Sequence, residues 1–373
     1  MSFLENRLAI LRQQGLHRSI ASHSKELIDF SSNDYLGIAR SKKIAESVSQ
    51  SIETSDTIGS TGSRLLTGNF REMDALESQI AGFHEAETAL IYPSGYQANV
   101  GLLSSLATRN DTLILDEYCH ASLIDSSRLS WANCYKFKHQ DLDDLASKLR
   151  KAKVEKFVVV EAIYSMNGAQ ADLRTIYEVC HEHNAHLIVD EAHSAGVRGS
   201  NGKGSCIELG IHNDVFARII TYGKAFGFQG GAVLGSAQLR EFLVNTSRSF
   251  IYSTGVSPLH VHALSAAYRF VDGADEARSA LRNNIRLFQH EAEKNGILCY
   301  ASDTQIQAIK VPGNDNVIKC SEVLRRHGIL AMSIRKPTVP GGEERIRICL
   351  HSFNTEQEIK KLIEIVRQWK GDL

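Results

Sequence analysis

The chain has 373 residues and a formal net charge of −1, with 43% hydrophobic and 23% charged residues. That length supports a large core and exceeds the usual size of one domain, and the balance of residues excludes disordered and fibrous classes. Lysines and arginines are spread evenly, so no basic face argues for nucleic acid, and no apolar run reaches the roughly eighteen residues of a membrane span.

The opening stretch, MSFLENRLAILRQQG, lacks the basic end and unbroken apolar centre of a secretion signal and reads as an amphipathic helix. The seven cysteines contain no CxxC pair and sit singly in apolar surroundings, which predicts reduced structural thiols and a cytoplasmic location. From about residue 88, short apolar runs alternate with helical patterns: TALIYPS, DTLILDE, KFVVVEAIYS, HLIVDEAH, ARIITYGKAFG and GGAVLGS. The runs are continuous rather than alternating, as in strands buried on both faces. Strands interleaved with helices predict an α/β domain with a mostly parallel sheet flanked by helices.

After YSTG at 252–255 the texture changes. A long helical pattern from Pro258 leads into the strand-like TQIQAIKVPG, GILAMSIRKPTVP and ERIRICL, then a final helix, NTEQEIKKLIEIVRQW. Asn354 fits the N-cap of that helix and Gln357 its N3 position. The expected organisation is an N-terminal segment (1–45), a large domain (46–255) and a smaller C-terminal α+β domain (256–373).

Two motifs are set aside. VRGSNGKGS resembles a phosphate loop, but Val197 stands where the opening glycine is needed and Gly204 where Ser or Thr should follow the lysine. HEHNAH has Ala185 where a HExxH helix requires histidine, and reads as a helix end with solvated histidines.

The chemistry-bearing residues cluster at strand ends, which face the crevice where ligands bind in open α/β sheets. Three clusters stand out: Glu161 to Ser165, Asp190 to His193, and Thr221 to Lys224. A crevice lysine among small residues loses proton affinity by desolvation and becomes an amine nucleophile or base. An aldehyde cofactor forming a Schiff base with Lys224 would supply its electrophile. Pyridoxal phosphate also requires an anion beside its ring nitrogen, a role that suits Asp190, with His193 reaching the phenolic oxygen. YPSGYQAN at 92–99 offers a helix start near Ser94, Gly95 and Tyr96 for the phosphate, and His120 is placed to lie flat on the ring. Taken singly, each of these is an ordinary turn, cap or core residue; their combination in chain order carries the reading.

These residues resemble the α-oxoamine synthases, fold-type I pyridoxal-phosphate enzymes. FSSNDYLGIA, GSTGSRLLTGN, YPSGYQAN, DEYCHASLIDSSRLS, AIYSMNGAQADL, IVDEAHSAGVRGSNGKGSC, TYGKAFGFQGGAVLGS and FIYSTGVSP follow in the family's order over nearly the whole chain. The resemblance implies a fold-type I transferase with a large domain and a smaller C-terminal α+β domain. It makes Lys224 the Schiff-base lysine, Asp190 the partner of the pyridinium nitrogen, His193 that of the phenolic oxygen and His120 the stacking residue. Gly95 and Tyr96 would lie near the phosphate, with Ser165 and Thr221 as further cofactor contacts. A homodimer with a shared active site is implied, Ser253 or Thr254 reaching the second subunit's phosphate. Asn33 would line the substrate side, Arg347 would bind the amino-acid carboxylate with Arg345 as its nearest rival, and Arg18 would contact the acyl substrate.

The implied reaction is a decarboxylating condensation of an amino acid with an acyl thioester on coenzyme A or a carrier protein. SIRKPTVPGGEERIRICL most resembles members that join L-alanine to a pimeloyl chain. Members using glycine or serine and other acyl chains remain open. A non-catalytic binding protein of the same fold predicts loss of the lysine or aspartate, yet Lys224 and Asp190 are both present.

Overall fold

The computed structural model describes residues 2–14, 16, 17, 20, 22, 24, 26–53 and 57–371. Its strands in chain order are β1 (Ile28–Asp29), β2 (Thr88–Tyr92), β3 (Thr112–Asp116), β4 (Asn133–Phe137), β5 (Lys156–Glu161), β6 (His186–Asp190), β7 (Ala217–Thr221), β8 (Gly231–Gly235), β9 (Ile306–Lys310), β10 (Ile329–Leu330), β11 (Met332–Ile334) and β12 (Arg345–Cys349). The large sheet has the order β2-β8-β7-β6-β5-β3-β4. β8 runs antiparallel to both its neighbours and the other pairings are parallel.

The continuous apolar runs became the central strands because helices cover both faces of this sheet. Val158, Val159, Val160, Ile188 and Val189 are fully buried, and each such side chain stabilises the fold by roughly 1.5–3 kcal/mol. The edge strand β4, NCYKF, gave no signal in the sequence: four of its five residues are exposed and it has no continuous apolar run like those of the central strands.

β9, β11 and β12 form an antiparallel sheet in the order β11-β12-β9, and β1 pairs in parallel with β10. The N-terminal segment is therefore stitched to the C-terminal elements, which matters because it carries Asn33 and Tyr35. The long helical pattern after Ser257 is two helices, Pro258–Asp272 and Asp275–Lys294, interrupted at Gly273 and Ala274. One of the hydrophobic core clusters runs from Phe30 and Tyr35 through Ile163 and Tyr222 to Leu264, Phe288, Ile346 and Val366.

The last helix departs from expectation by one residue. It spans Glu356–Gly371, and the reciprocal cap is made by Thr355 and Glu358, with Glu358 N–H donating to Thr355 Oγ at 3.2 Å and Thr355 N–H to Glu358 Oε2 at 2.8 Å. Asn354 is drawn elsewhere: its Oδ1 accepts from His351 N–H at 2.9 Å and its Nδ2 donates to the Asp29 carbonyl at 3.1 Å. At the other end of the chain, helix Phe3–Gln13 forms with Ser2 and Glu5 as its capping box and buries none of its residues. No helix among the described residues is long and apolar enough to cross a membrane.

Candidate active site

Parallel strands deliver their carboxyl ends to one edge, and here that edge is chemically loaded. Asp116, Glu161, Asp190 and Thr221 are the last residues of β3, β5, β6 and β7, and the register sets Glu161 directly beside Asp190. Asp190 is 5% exposed. Its Oδ1 accepts from Ala192 N–H at 2.9 Å and its Oδ2 from Asn99 Nδ2 at 3.1 Å, both neutral donors. Asn99 also donates to Ser122 Oγ at 2.8 Å. It sits four residues after Gly95 in helix Gly95–Leu106, on the same face one turn on.

Lys224 lies in the turn after β7, with Nζ 2.8 Å from His193 Nε2. Burial pulls its amine down to about 8, against the opposing charges of Asp190 and Glu161. His193 is buried, which with the Lys224 charge holds it well below its ordinary value and so neutral. Its Nδ1 is 2.7 Å from the Tyr35 hydroxyl, which also lies 3.1 Å from Asn33 Oδ1. Asn33 Oδ1 accepts from Arg347 Nη2 at 3.1 Å, and Arg347 Nε donates to the Ser165 carbonyl at 2.6 Å. Lys224, His193, Asn33, Ser165 and Arg347 are thus joined in one network.

The opposite end is the N-terminus of helix Gly95–Leu106. Ser94 caps the helix by accepting from Gln97 N–H at 3.1 Å. A Cβ on Gly95 would come within 2.7 Å of Thr221 Oγ1, so only glycine leaves the space over the helix N-terminus open. Tyr96 turns its half-exposed side chain away, its hydroxyl donating to Asp125 Oδ2 at 2.9 Å, and leaves its backbone N–H in the first turn. Within the chain, Ser253 Oγ accepts from Gln97 Nε2 at 3.0 Å and Thr254 bridges to Ser63.

His120 caps helix Ala121–Leu129, its Nδ1 accepting from Ser122 N–H at 3.2 Å. Its own backbone N–H donates to the Glu161 carboxylate. Burial, then the Asp190 charge, push Glu161 up to about 8. His120 and Ser165 line a cavity of about 360 Å³ with Tyr118, Met166, Val339 and Arg345. Alternate residues of a strand share a face, so Arg345 and Arg347 leave β12 together but part company. Arg345 stacks over Tyr300 at 4.0 Å and donates to Glu343 Oε2 at 3.2 Å, whereas Arg347 is the one bonded to Asn33. Arg18 lies outside the described residues.

Two residues at this site, Tyr35 and Asn99, went unread in the sequence, and a third, Glu161, was read only as a strand end. Tyr35 sits inside the quoted SSNDYLG stretch yet looks like a core aromatic, and it is fully buried. Asn99 could have been found from helical spacing, four residues after Gly95 at the start of the helix. Glu161 was visible as a strand-terminal acid, but its contact with the His120 backbone depends on tertiary packing.

The family model for class I and II aminotransferases matches residues 25–366. The 8-amino-7-oxononanoate synthase of Lysinibacillus sphaericus is 33% identical over 374 residues, covering 97% of this chain and 96% of its own. The chain belongs to the class I and II aminotransferase family. Among solved structures, a Sphingomonas wittichii serine palmitoyltransferase superposes with a TM-score of 0.91 at 25% identity, covering 99% of this chain and 96% of its own. The 8-amino-7-oxononanoate synthase of Francisella tularensis gives 0.82 at 26% identity, covering 94% and 99%. The fold is that of the fold-type I pyridoxal-phosphate-dependent transferases, and within them the chain is an α-oxoamine synthase, an acyltransferase by family.

Proposed function

We propose that the protein condenses L-alanine with a pimeloyl thioester, losing CO2 and the thiol, to give 8-amino-7-oxononanoate for biotin synthesis. The observation that carries this reading is the Lys224 amine held 2.8 Å from His193 at a strand edge where buried Asp190 is bonded only by neutral donors. A lysine for an aldehyde, an anion for a ring nitrogen, a histidine for a phenolic oxygen and an open helix N-terminus for a phosphate suit pyridoxal phosphate. That cofactor, when bound, supplies the electron-withdrawing ring that makes the amino acid's Cα proton acidic.

The chain's own residues do the rest. Lys224 Nζ would hold the aldehyde carbon and, once displaced by the substrate amine, serve as the base at Cα; an amine titrating near 8 is suited to that work. Asp190 would keep the ring nitrogen protonated, and His120, exposed beside it, would stack on the ring. Gly95 and Tyr96 would offer backbone N–H groups to the phosphate beside Thr221. Arg347 and Asn33, already bonded, would take the alanine carboxylate, with Ser165 holding the Arg347 fork in place through its carbonyl. In a homodimer, Ser253 and Thr254 would complete the second subunit's phosphate site. The cavity beside His120 and Ser165 would take the acyl chain, and its buried arginine, Arg345, suits a chain ending in a carboxylate.

The higher superposition score with serine palmitoyltransferase favours a second reading, in which serine and a longer acyl chain are the substrates. Assays of alanine, glycine and serine against thioesters of graded length, on coenzyme A and on carrier protein, separate the two. Alanine with pimeloyl thioester should give the highest kcat/KM. Preference for serine with a long apolar chain would replace this reading with the second.

A further inference from the structure

The hydrogen-bond line that leaves Lys224 has a direction, and following it assigns a task to Tyr35. An ammonium has donors only, so a protonated Lys224 donates to His193 Nε2 across the 2.8 Å between them. His193 is neutral and carries one ring proton, which must then sit on Nδ1 and be donated to the Tyr35 oxygen 2.7 Å away. Tyr35 in turn donates to Asn33 Oδ1 at 3.1 Å, the same oxygen that accepts from Arg347. Every bond in the line points the same way.

That arrangement is the reverse of what a ligand oxyanion needs. To donate from Nε2, His193 must move its proton there, and Nδ1 then requires a donor. The Tyr35 hydroxyl is the group in contact with Nδ1 and meets that need by turning from Asn33 to the ring nitrogen. Its position is fixed: Tyr35 is fully buried, burial keeps its proton in place across the working range, and Gln305 Nε2 pins the His193 backbone by donating to its carbonyl at 2.7 Å. Turning the hydroxyl also withdraws one of the donors from Asn33 Oδ1, in the place where Arg347 is bonded.

We infer that Tyr35 is a positioning residue whose hydroxyl reverses between acceptor and donor to set the tautomer of His193, and that this reversal couples the Lys224 end of the site to the Asn33–Arg347 end. The inference rests on the cofactor reading above for the identity of the oxyanion, but its core concerns the protein's own hydrogen bonds.

The test uses the full chain with Tyr35→Phe, which keeps the buried ring and removes only the hydroxyl, and Tyr222→Phe as control, since Tyr222 is equally buried but packs against Tyr268 rather than His193. Nitrogen-15 NMR of the histidines in cofactor-free protein should show His193 protonated at Nδ1 in all three proteins below about pH 8, where the Lys224 ammonium donates to Nε2; above it, where the free amine can accept, the proton should move to Nε2 in wild type and in the control but stay divided between the nitrogens in Tyr35→Phe. Two probes then follow by equilibrium binding: 4-deoxypyridoxine phosphate, which lacks the aldehyde, and its 3-O-methyl ether, which also lacks the phenolic proton and charge. Wild type should prefer the first by tenfold or more, and Tyr35→Phe should lose most of that preference. The same move of the His193 proton in Tyr35→Phe as in wild type, or equal weakening of both probes, would make Tyr35 merely structural and overturn the inference. If wild type bound neither probe, the cofactor reading would fall while the NMR comparison still decided the role of Tyr35.

Discussion

Asp190 and Glu191 are consecutive carboxylates at the exit of one strand, both buried, and the fold treats them in opposite ways. Alternation sends them to different sides of the sheet. Glu191 is fully buried, accepts from Cys206 N–H at 2.9 Å and Ser194 Oγ at 3.2 Å, and has Arg218 Nη1 at 3.7 Å. Arg218 is itself 2% exposed and donates to the His84 carbonyl at 2.6 Å. The glycine-rich turn that resembled a phosphate loop packs here: Gly204 has φ +113, and a Cβ on it would come 2.6 Å from Glu191 Oε1. Burial raises the Glu191 carboxyl and Arg218 opposes that rise. Among the described residues, Asp190 has the burial without a dedicated cation, bonded by an amide side chain and a backbone N–H. A buried acid with its own arginine has its cation within the fold; one held by neutral donors leaves that place to whatever enters the crevice.

The largest effects should fall on the crevice side. Lys224→Ala should abolish turnover of alanine and pimeloyl thioester, at least about a 10⁵-fold loss or roughly 7 kcal/mol, measured in cofactor-supplemented steady-state assays. Asp190→Asn keeps the shape and removes the anion; kcat should fall by roughly a thousandfold, about 4 kcal/mol, with little change in the denaturant midpoint. On the other side the signs exchange. Glu191→Ala leaves Arg218 buried and uncompensated, so urea unfolding should show a loss of about 3–5 kcal/mol, while kcat per folded molecule stays within about threefold of wild type. If Glu191→Ala lost activity without losing stability, the division of labour between the two acids would be wrong.

Much of this division was legible before the structure. The strand runs ending in Asp190 and Thr221 announced a parallel sheet and its loaded edge because buried parallel strands have a composition of their own. Arg218 as the partner of Glu191 was invisible in the sequence: it lies on β7, and only the sheet register brings it near. Tyr35 failed to register for the same reason in reverse, since a fully buried tyrosine in an N-terminal segment gives no sign that its hydroxyl faces a histidine 158 residues away. The β4 edge and the cap of the last helix were misjudged locally, where an exposed edge carries no pattern and two capping-competent residues, Asn354 and Thr355, stand side by side.

The finest test of the comparison is electrostatic. The Lys224 amine titrates near 8 instead of its ordinary 10.5 because burial disfavours the ammonium more than Asp190 and Glu161 support it. Its folded value lies below its unfolded one, so the unfolded chain binds more protons between about 8 and 10.5, and this group's contribution to stability rises with pH across that window. Glu161 has the opposite sign: held near 8 against an ordinary 4.5, it favours the fold at low pH, and that contribution is lost as pH rises towards 8. Association of pyridoxal phosphate with the cofactor-free protein requires the free amine, so its rate should rise with pH to a plateau with a midpoint near 8. Asp190→Asn removes an anion that favours the ammonium and also relieves Glu161 of a like charge, so both groups release their protons more easily. The midpoint should move to lower pH by about one unit, worth about 1.4 kcal/mol. Glu191→Gln should leave it in place, because the charges that act on the Lys224 amine are those of Asp190, Glu161 and Arg347, while Glu191 faces the other side of the sheet. Equal shifts in the two variants would show that the crevice feels both acids alike.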